Sequence, residues 1–229
     1  MTKNDFLPTA LSESISDESC SILAEIGEIS IDSVLNDGLL KDIPIVSTTI
    51  SLFKIGSSIR ERHHVTKLIA FIQQMNEGIM DEDQRKKYQE ALKDDCQKRN
   101  KEIAYLLIII DRYLHIDQSR YLAKIFSAYL DEKIIWQKVV EYSEIINRLL
   151  PSDYNLLKSK SSYHSSKDQN TDTLQRLIAL GLIIEDLQPT NYTLQDGELI
   201  INANNSREEK KRTYHRTDFG NKLVKILED

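Results

Sequence analysis

The sequence has 7 glycines and 4 prolines in 229 residues, less than half of the roughly 12% an average protein carries. The two nearest glycines, Gly27 and Gly38, are far apart, so neither a dinucleotide-binding Gly-x-Gly nor a phosphate-cradling loop can be written. Collagen-like, low-complexity and many-turned all-β architectures are excluded by the same shortage. Between residues 79 and 180 there is no glycine, and Pro151 is the one proline. So long a stretch without breakers predicts helix after helix. Cysteine is also scarce. Cys20 and Cys96 are the pair, with neither disulfide-framework nor zinc-site spacing, and they predict reduced cytosolic thiols. The start has no apolar core for a signal peptide, and no stretch approaches membrane-spanning length. The longest apolar run, IAYLLIII at 103–110, stops at Asp111 and predicts a buried helix.

What is present is the composition of a folded globular protein, 40% apolar and 29% charged. Thirty-six acids against 30 bases give a net charge of −6, so no basic field covers the whole chain, as a free-standing nucleic-acid binder needs. The acid excess is concentrated in residues 1–43, an acidic segment with apolar residues at helical spacing from about 12 to 37 after a loose tail over 1–10. Residues 44–150 predict a helical body. Pro44 suits a first helical turn, and apolar positions continue at helical spacing to residue 79. Residues 81–102 predict one solvated helix, acidic at its start and closed by Lys98, Arg99 and Lys101 in keeping with the helix dipole. Its narrow inner stripe is Tyr88, Leu92 and Cys96. Asp117 and Asp131 are positioned as caps of two further amphipathic helices.

After Pro151 the composition changes. Residues 152–158 predict one short helix, and the stretch 159–171 is a Ser-rich loop. A helix over 171–180 is stopped by Gly181. Strands over 182–187 and 192–201 turn at Asp196-Gly197, a returning strand covers 211–217, and Thr217 caps a last helix. The run Leu174-Gln-Arg-Leu-Ile-Ala-Leu-Gly-Leu-Ile, then a hairpin, then Tyr214-His-Arg-Thr-Asp-Phe-Gly-Asn-Lys-Leu-Val resembles a winged-helix module. The resemblance covers about residues 133–229. It implies a small α+β winged-helix-like module over 151–229, and with the multi-helix body read from the scarcity of breakers the chain is expected to be mainly α. It leaves the ligand open, because winged helices bind DNA, RNA or proteins. Gln169, Asn170, Gln175 and Arg176 are the candidate readers of a nucleic acid or partner, and Lys210, Lys211, Arg212 and Arg216 form a basic cluster on the wing. Two departures weigh on the nucleic-acid reading. Arg176 is the one base on the helix that would enter a groove, and the loop before it exceeds the roughly 3–4 residues of a helix-turn-helix turn.

The stretch 25–32, Leu39-Leu-Lys-Asp-Ile-Pro-Ile-Val and Lys54-Ile-Gly-Ser-Ser-Ile-Arg-Glu-Arg resemble a group of small, uncharacterised helical proteins of bacterial accessory genomes. The resemblance implies a bacterial cytoplasmic protein, with phage–host conflict as its setting, and carries over no site residue.

Catalytic and metal signatures are thin. His63-His64 are adjacent, about 100° apart on a helix, and ill placed to share a metal. The Arg–His spacings Arg60/His64 and Arg112/His115 miss those of helical ribonucleases. His164 and His215 have no evident partner, and Trp136 is either a packing residue or an interface anchor. The expectation is no catalytic residue, no metal and no cofactor. Three readings follow. The first is an interaction protein that binds another protein or itself. The second is a DNA-binding regulator using 168–217. The third is a membrane-associated effector whose segment 43–79 presents Phe53, Lys54, Arg60, Arg62 and Lys67.

Overall fold

The computed structural model describes residues 6–16, 43–53, 58–77, 82–93, 96–164, 171–186, 192–195, 198–201 and 212–228. They are mainly helical, and they divide between Arg148 and Leu149 into two compact units. The first unit holds seven described helices: α1 (Phe6–Ser16), α2 (Pro44–Phe53), α3 (Ile59–Glu77), α4 (Glu82–Lys93), α5 (Cys96–Arg112), α6 (Ile116–Leu130) and α7 (Trp136–Arg148).

Residues 6–10, expected as a loose tail, are the start of α1. The reason is tertiary: Leu11 and Ile15 are fully buried, and α1 packs on α2 and α5. Ser14 ties α1 to α2 by polar bonds. Its hydroxyl donates to Ala10 O (2.8 Å) and accepts the Ile45 N–H (3.0 Å), one of the donors that the first turn of α2 leaves without a helical partner. The long apolar stretch 44–79 forms two helices, α2 and α3, with Ser58 at the entry to α3, where its hydroxyl accepts the Glu61 N–H (3.2 Å). Next, the expected single helix over 81–102 is also two. Tyr88 and Leu92 are the buried stripe of α4. Lys98 and Arg99 belong to α5, where they reach the buried Glu102 (3.9 and 2.7 Å) rather than closing a helix. The run 103–110 is the centre of α5, with Ile103, Leu106, Ile109 and Ile110 buried.

The caps on α6 differ from expectation. Its N-cap is His115, and Asp117 lies in the first turn and pairs with Arg120 (2.7 Å). The capping work is done by Gln118, whose side-chain oxygen accepts the Leu114 and His115 N–H groups (3.0 and 2.9 Å). Asp131 is the C-cap of α6, not the N-cap of α7. Glu132 follows in the left-handed region (φ 62°), and Lys133 N–H closes back on Ala128 O (2.9 Å), as in a Schellman turn. At the centre, α3 packs along α6, with Phe71 and Phe126 at 6.4 Å between ring centroids.

The second unit contains α8 (Pro151–Ser159), β1 (Ser162–His164), α9 (Thr171–Ala179), β2 (Ile183–Glu185), β3 (Tyr192–Gln195), β4 (Glu198–Ile201), β5 (Thr213–Arg216) and α10 (Asp218–Glu228). Pro151 opens α8 at a position where its missing N–H costs nothing. One antiparallel sheet has the order β1-β5-β2, and β3 and β4 form a separate hairpin. The register sets Tyr163 opposite Tyr214, both buried, and Ser162, His215 and Ile184 side by side in the alternate row. Leu157, Leu174, Leu177, Leu182, Leu223 and Leu227 are further buried residues of this unit.

Two glycines fix how its elements join. Gly181 (φ +70°) ends α9, with Gly181 N–H to Ile178 O (2.8 Å) and Leu182 N–H to Leu177 O (3.0 Å), the Schellman pattern. Thr217 N-caps α10: its hydroxyl accepts the Gly220 N–H (3.0 Å) and contacts Gly181 O (2.8 Å). At Gly220 a Cβ would lie 2.3 Å from the Leu182 carbonyl oxygen, so α10 can approach the end of α9 this closely only through glycine. Gly220→Ala is therefore expected to lower stability by about 1–3 kcal/mol. Denaturant unfolding checks this. Equal midpoints for Gly220→Ala and wild type would contradict the close approach.

Candidate functional site

Every helix end leaves carbonyl oxygens without helical partners and carries partial negative charge. The end of α5 is met by α3. Arg60, His63, His64 and Lys67 recur at the spacing that puts residues on one face of a helix, and that face is turned to α5. The Lys67 ammonium donates to Asp111 O and Tyr113 O, both at 2.8 Å, and Lys67 is only 2% exposed. His63 Nε2 lies 2.9 Å from Leu114 O. Arg60 bonds the Asp111 carboxylate (3.0 Å) from a largely solvent-exposed position. His64 is 17% exposed, with its Nδ1 3.4 Å from Asp111 Oδ1. Burial lowers the His64 pKa below its ordinary value, with Asp111 pulling the other way and Lys67, Arg60 and His63 adding to the lowering. Burial lowers the Lys67 pKa too, against the pull of Asp111.

The same junction is bound from its other side. Gln118 Nε2 donates to Ile146 O of α7 (2.7 Å), and the Tyr113 hydroxyl donates to Ser143 O (3.2 Å). Arg112 grips both oxygens of Glu144 (2.9 and 3.4 Å).

Of the five residues proposed as a membrane or partner face, Lys67 is thus directed inward, with both bonds going to main-chain oxygens. This is a correction: a buried ammonium already bound to two carbonyls is not available to a lipid surface. Arg60 is exposed and paired, and Arg62 is partly buried. Phe53 ends α2, but its side chain, like all of Lys54, lies outside the described residues. No described helix is long and apolar enough to cross a membrane.

In the second unit two of the cations proposed to contact nucleic acid, Arg176 and Arg212, have protein partners. Arg176 forks onto the fully buried Asp153 (Nε 2.9 Å, Nη2 2.6 Å), a bidentate, charge-assisted arrangement, and its Nη2 also reaches the Thr173 hydroxyl (3.0 Å). Arg212 lies 3.5 Å from Glu185. Arg216 alternates with Tyr214 to the same face of the sheet as the buried tyrosines. Its Nε is buried with no hydrogen-bond partner among the described residues. Gln175 is exposed on α9. Gln169, Asn170, Lys210 and Lys211 lie outside the described residues. His215 bonds Asp186 at 2.7 Å on the surface.

Trp136 sits against Tyr105 (5.7 Å, edge-on) and Tyr129 (5.5 Å). Tyr129 also donates to Glu102 (2.9 Å) and lies under the Arg99 guanidinium (5.2 Å). Ser14, Glu102, Gln118 and Asp153 are among the buried polar residues whose roles local sequence did not show. The one local signal was the place of Gln118, three residues after the N-cap. Among the described residues no group of three or more His, Cys, Asp or Glu side chains is arranged to hold a metal ion. No family model, curated protein or solved structure matches the chain.

The His64 environment gives a pH dependence with a defined sign. Its folded-state pKa lies below the ordinary 6.5, so just below that pH the unfolded chain binds more protons than the folded one. Stability then rises with pH in this window and is lost on acidification. Thermal unfolding midpoints should fall between about pH 7.5 and about pH 5.5, and fall less in His64→Gln. Parallel pH profiles for the two proteins would contradict the assignment.

Proposed function

We propose that the chain is a non-catalytic adaptor whose C-terminal module, winged-helix-like in its order of elements, binds a protein rather than nucleic acid. The winged-helix-like reading is supported by the strand order β1-β5-β2, by α9 turning at Gly181 into β2, and by α10 following β5. Against its use on DNA stands α9 itself, the one described helix between β1 and β2, where a helix-turn-helix sets two in tandem.

The observation that carries the protein-binding reading is the exposed face of α9. Asp172, Gln175 and Ile178 are exposed there, and Ile184 on β2 is 58% exposed. The one cation of α9 spends its guanidinium on Asp153. Such a face lacks the phosphate clamp that supplies most affinity for a nucleic acid. An acid, an amide and two isoleucines instead suit the mixed apolar and polar surface of a protein interface. The likeness of the N-terminal stretches to accessory-genome proteins supports a bacterial cytoplasmic setting, with phage–host conflict as the process.

The test pairs two measurements on the full chain. A DNA or RNA mobility shift at about 50 mM salt, where phosphate contacts are strongest, is expected to show no complex. Affinity capture from a bacterial lysate is expected to retain a protein under nuclease treatment, and to lose it from the Ile178→Asp, Ile184→Asp double variant. A salt-resistant nucleic-acid complex, or a captured protein released by nuclease, would overturn the reading.

A further inference from the structure

A cavity of about 560 Å³ opens in the first unit between α1, α2, α3 and α5. Its wall combines an apolar strip, Leu107 and Ile108 of α5 with Leu7 of α1, and a polar end made by Glu61, His64 and Asp111. Glu61 and His64 are three residues apart on α3, and so are neighbours on its surface. Glu61 Oε2 and His64 Nδ1 are both buried with no hydrogen-bond partner among the described residues. That is an unusual condition for two polar atoms on one wall.

The two guanidiniums on the same wall are engaged, Arg60 by Asp111 (3.0 Å) and Arg112 by Glu144 (2.9 Å). Each guanidinium is thus held to a carboxylate, which leaves Glu61 Oε2 and His64 Nδ1 as the unpartnered buried atoms of the polar end. Glu61 supplies a carboxylate oxygen, Asp111 another, and His64 its Nδ1 in the tautomer that carries the proton on Nε2. Burial keeps that imidazole neutral at pH 7, and a neutral imidazole has one acceptor nitrogen. His64 Nδ1 and Asp111 Oδ1 stand 3.4 Å apart, a separation at which one donor group can serve both. A primary ammonium has three donors. An anionic head would meet the Glu61 carboxylate, and a hydroxyl supplies one donor for three acceptors.

We propose that this cavity binds a free primary aliphatic amine, its ammonium held among Glu61, His64 and Asp111 and its alkyl chain laid along Leu107 and Ile108. The site does not depend on what the C-terminal module binds. Ile108, 59% exposed at present, is the surface such a chain would cover.

The experiment is methyl and imidazole NMR on the full chain with hexylamine, hexanol and hexanoate as probes. Hexylamine is expected to shift the Leu107 and Ile108 methyl signals and the His64 ring signals saturably, and at least about tenfold more tightly than hexanol, the value of one charge-assisted contact. Hexanoate is expected not to bind. Nα-acetyl-lysine methylamide carries the same ammonium on a protein-like backbone and is expected to bind more weakly than hexylamine. Glu61→Gln should weaken hexylamine about tenfold. Ile108→Arg, a change at an exposed position, should abolish binding with the thermal unfolding midpoint preserved. Equal binding of hexanol or the lysine amide, no saturable shift, or an unchanged affinity in a folded Ile108→Arg variant would overturn the proposal.

Discussion

A helix that finishes inside a protein must find donors for its last carbonyls, and at the end of α5 side chains of α3 supply them. Lys67 supplies two bonds and His63 faces a third carbonyl, while Gln118 binds the amides of the next two residues and then a carbonyl of α7. Four helices are thereby joined at one polar knot: α3 by its basic face, α5 by its end, α6 by its first turn and α7 by its last. Apolar burial supplies most of the driving force for folding. It is non-directional, and the register of α3 against α5 depends on where these donors can reach.

The second unit shows the same economy on a smaller scale. Asp153 is fully buried in α8 and would be costly there alone, and Arg176 reaches it from α9 with two bonds. Thr217 links the end of α9 to the start of α10, and Gly220 lets those two elements touch. In each unit a cation that a sequence pattern offers to the outside is bound to the protein itself, Lys67 in the first and Arg176 in the second. That is the physical reason for preferring a protein partner to a nucleic acid for the exposed face of α9.

Local signals were legible and distant ones were not. Gly181 as a helix stop, Thr217 as a cap and Pro44 at a helix start each act within a turn of their own position, and a residue type suffices to place them. The break between α4 and α5 was hidden because Lys98, Arg99 and Lys101 look like the end of a helix until Glu102 is known to be buried beside them. Asp117 and Asp131 looked like N-caps because the type is right, but Gln118 and the left-handed Glu132 decide those termini. Arg60, His63, His64 and Lys67 share one face of α3, although the sequence offered them only as an adjacent histidine pair and as cations of an outer face. Which way that face turns depends on carbonyls 44 and 46 residues onward from Lys67, and nothing local encodes them. The same holds for Ser14 and Ile45, 31 residues apart, and for Asp153 and Arg176, 23 apart.

Lys67 is an internal tie and not a surface cation. Equilibrium unfolding of Lys67→Met tests this directly, because methionine keeps the length of the side chain and removes the donors. If Lys67 holds the end of α5, the variant loses about 1.5–3 kcal/mol, since two buried carbonyls lose a charged donor by more than the relief of burying the ammonium returns. A change within about 0.5 kcal/mol, typical of an exposed lysine, would contradict the account.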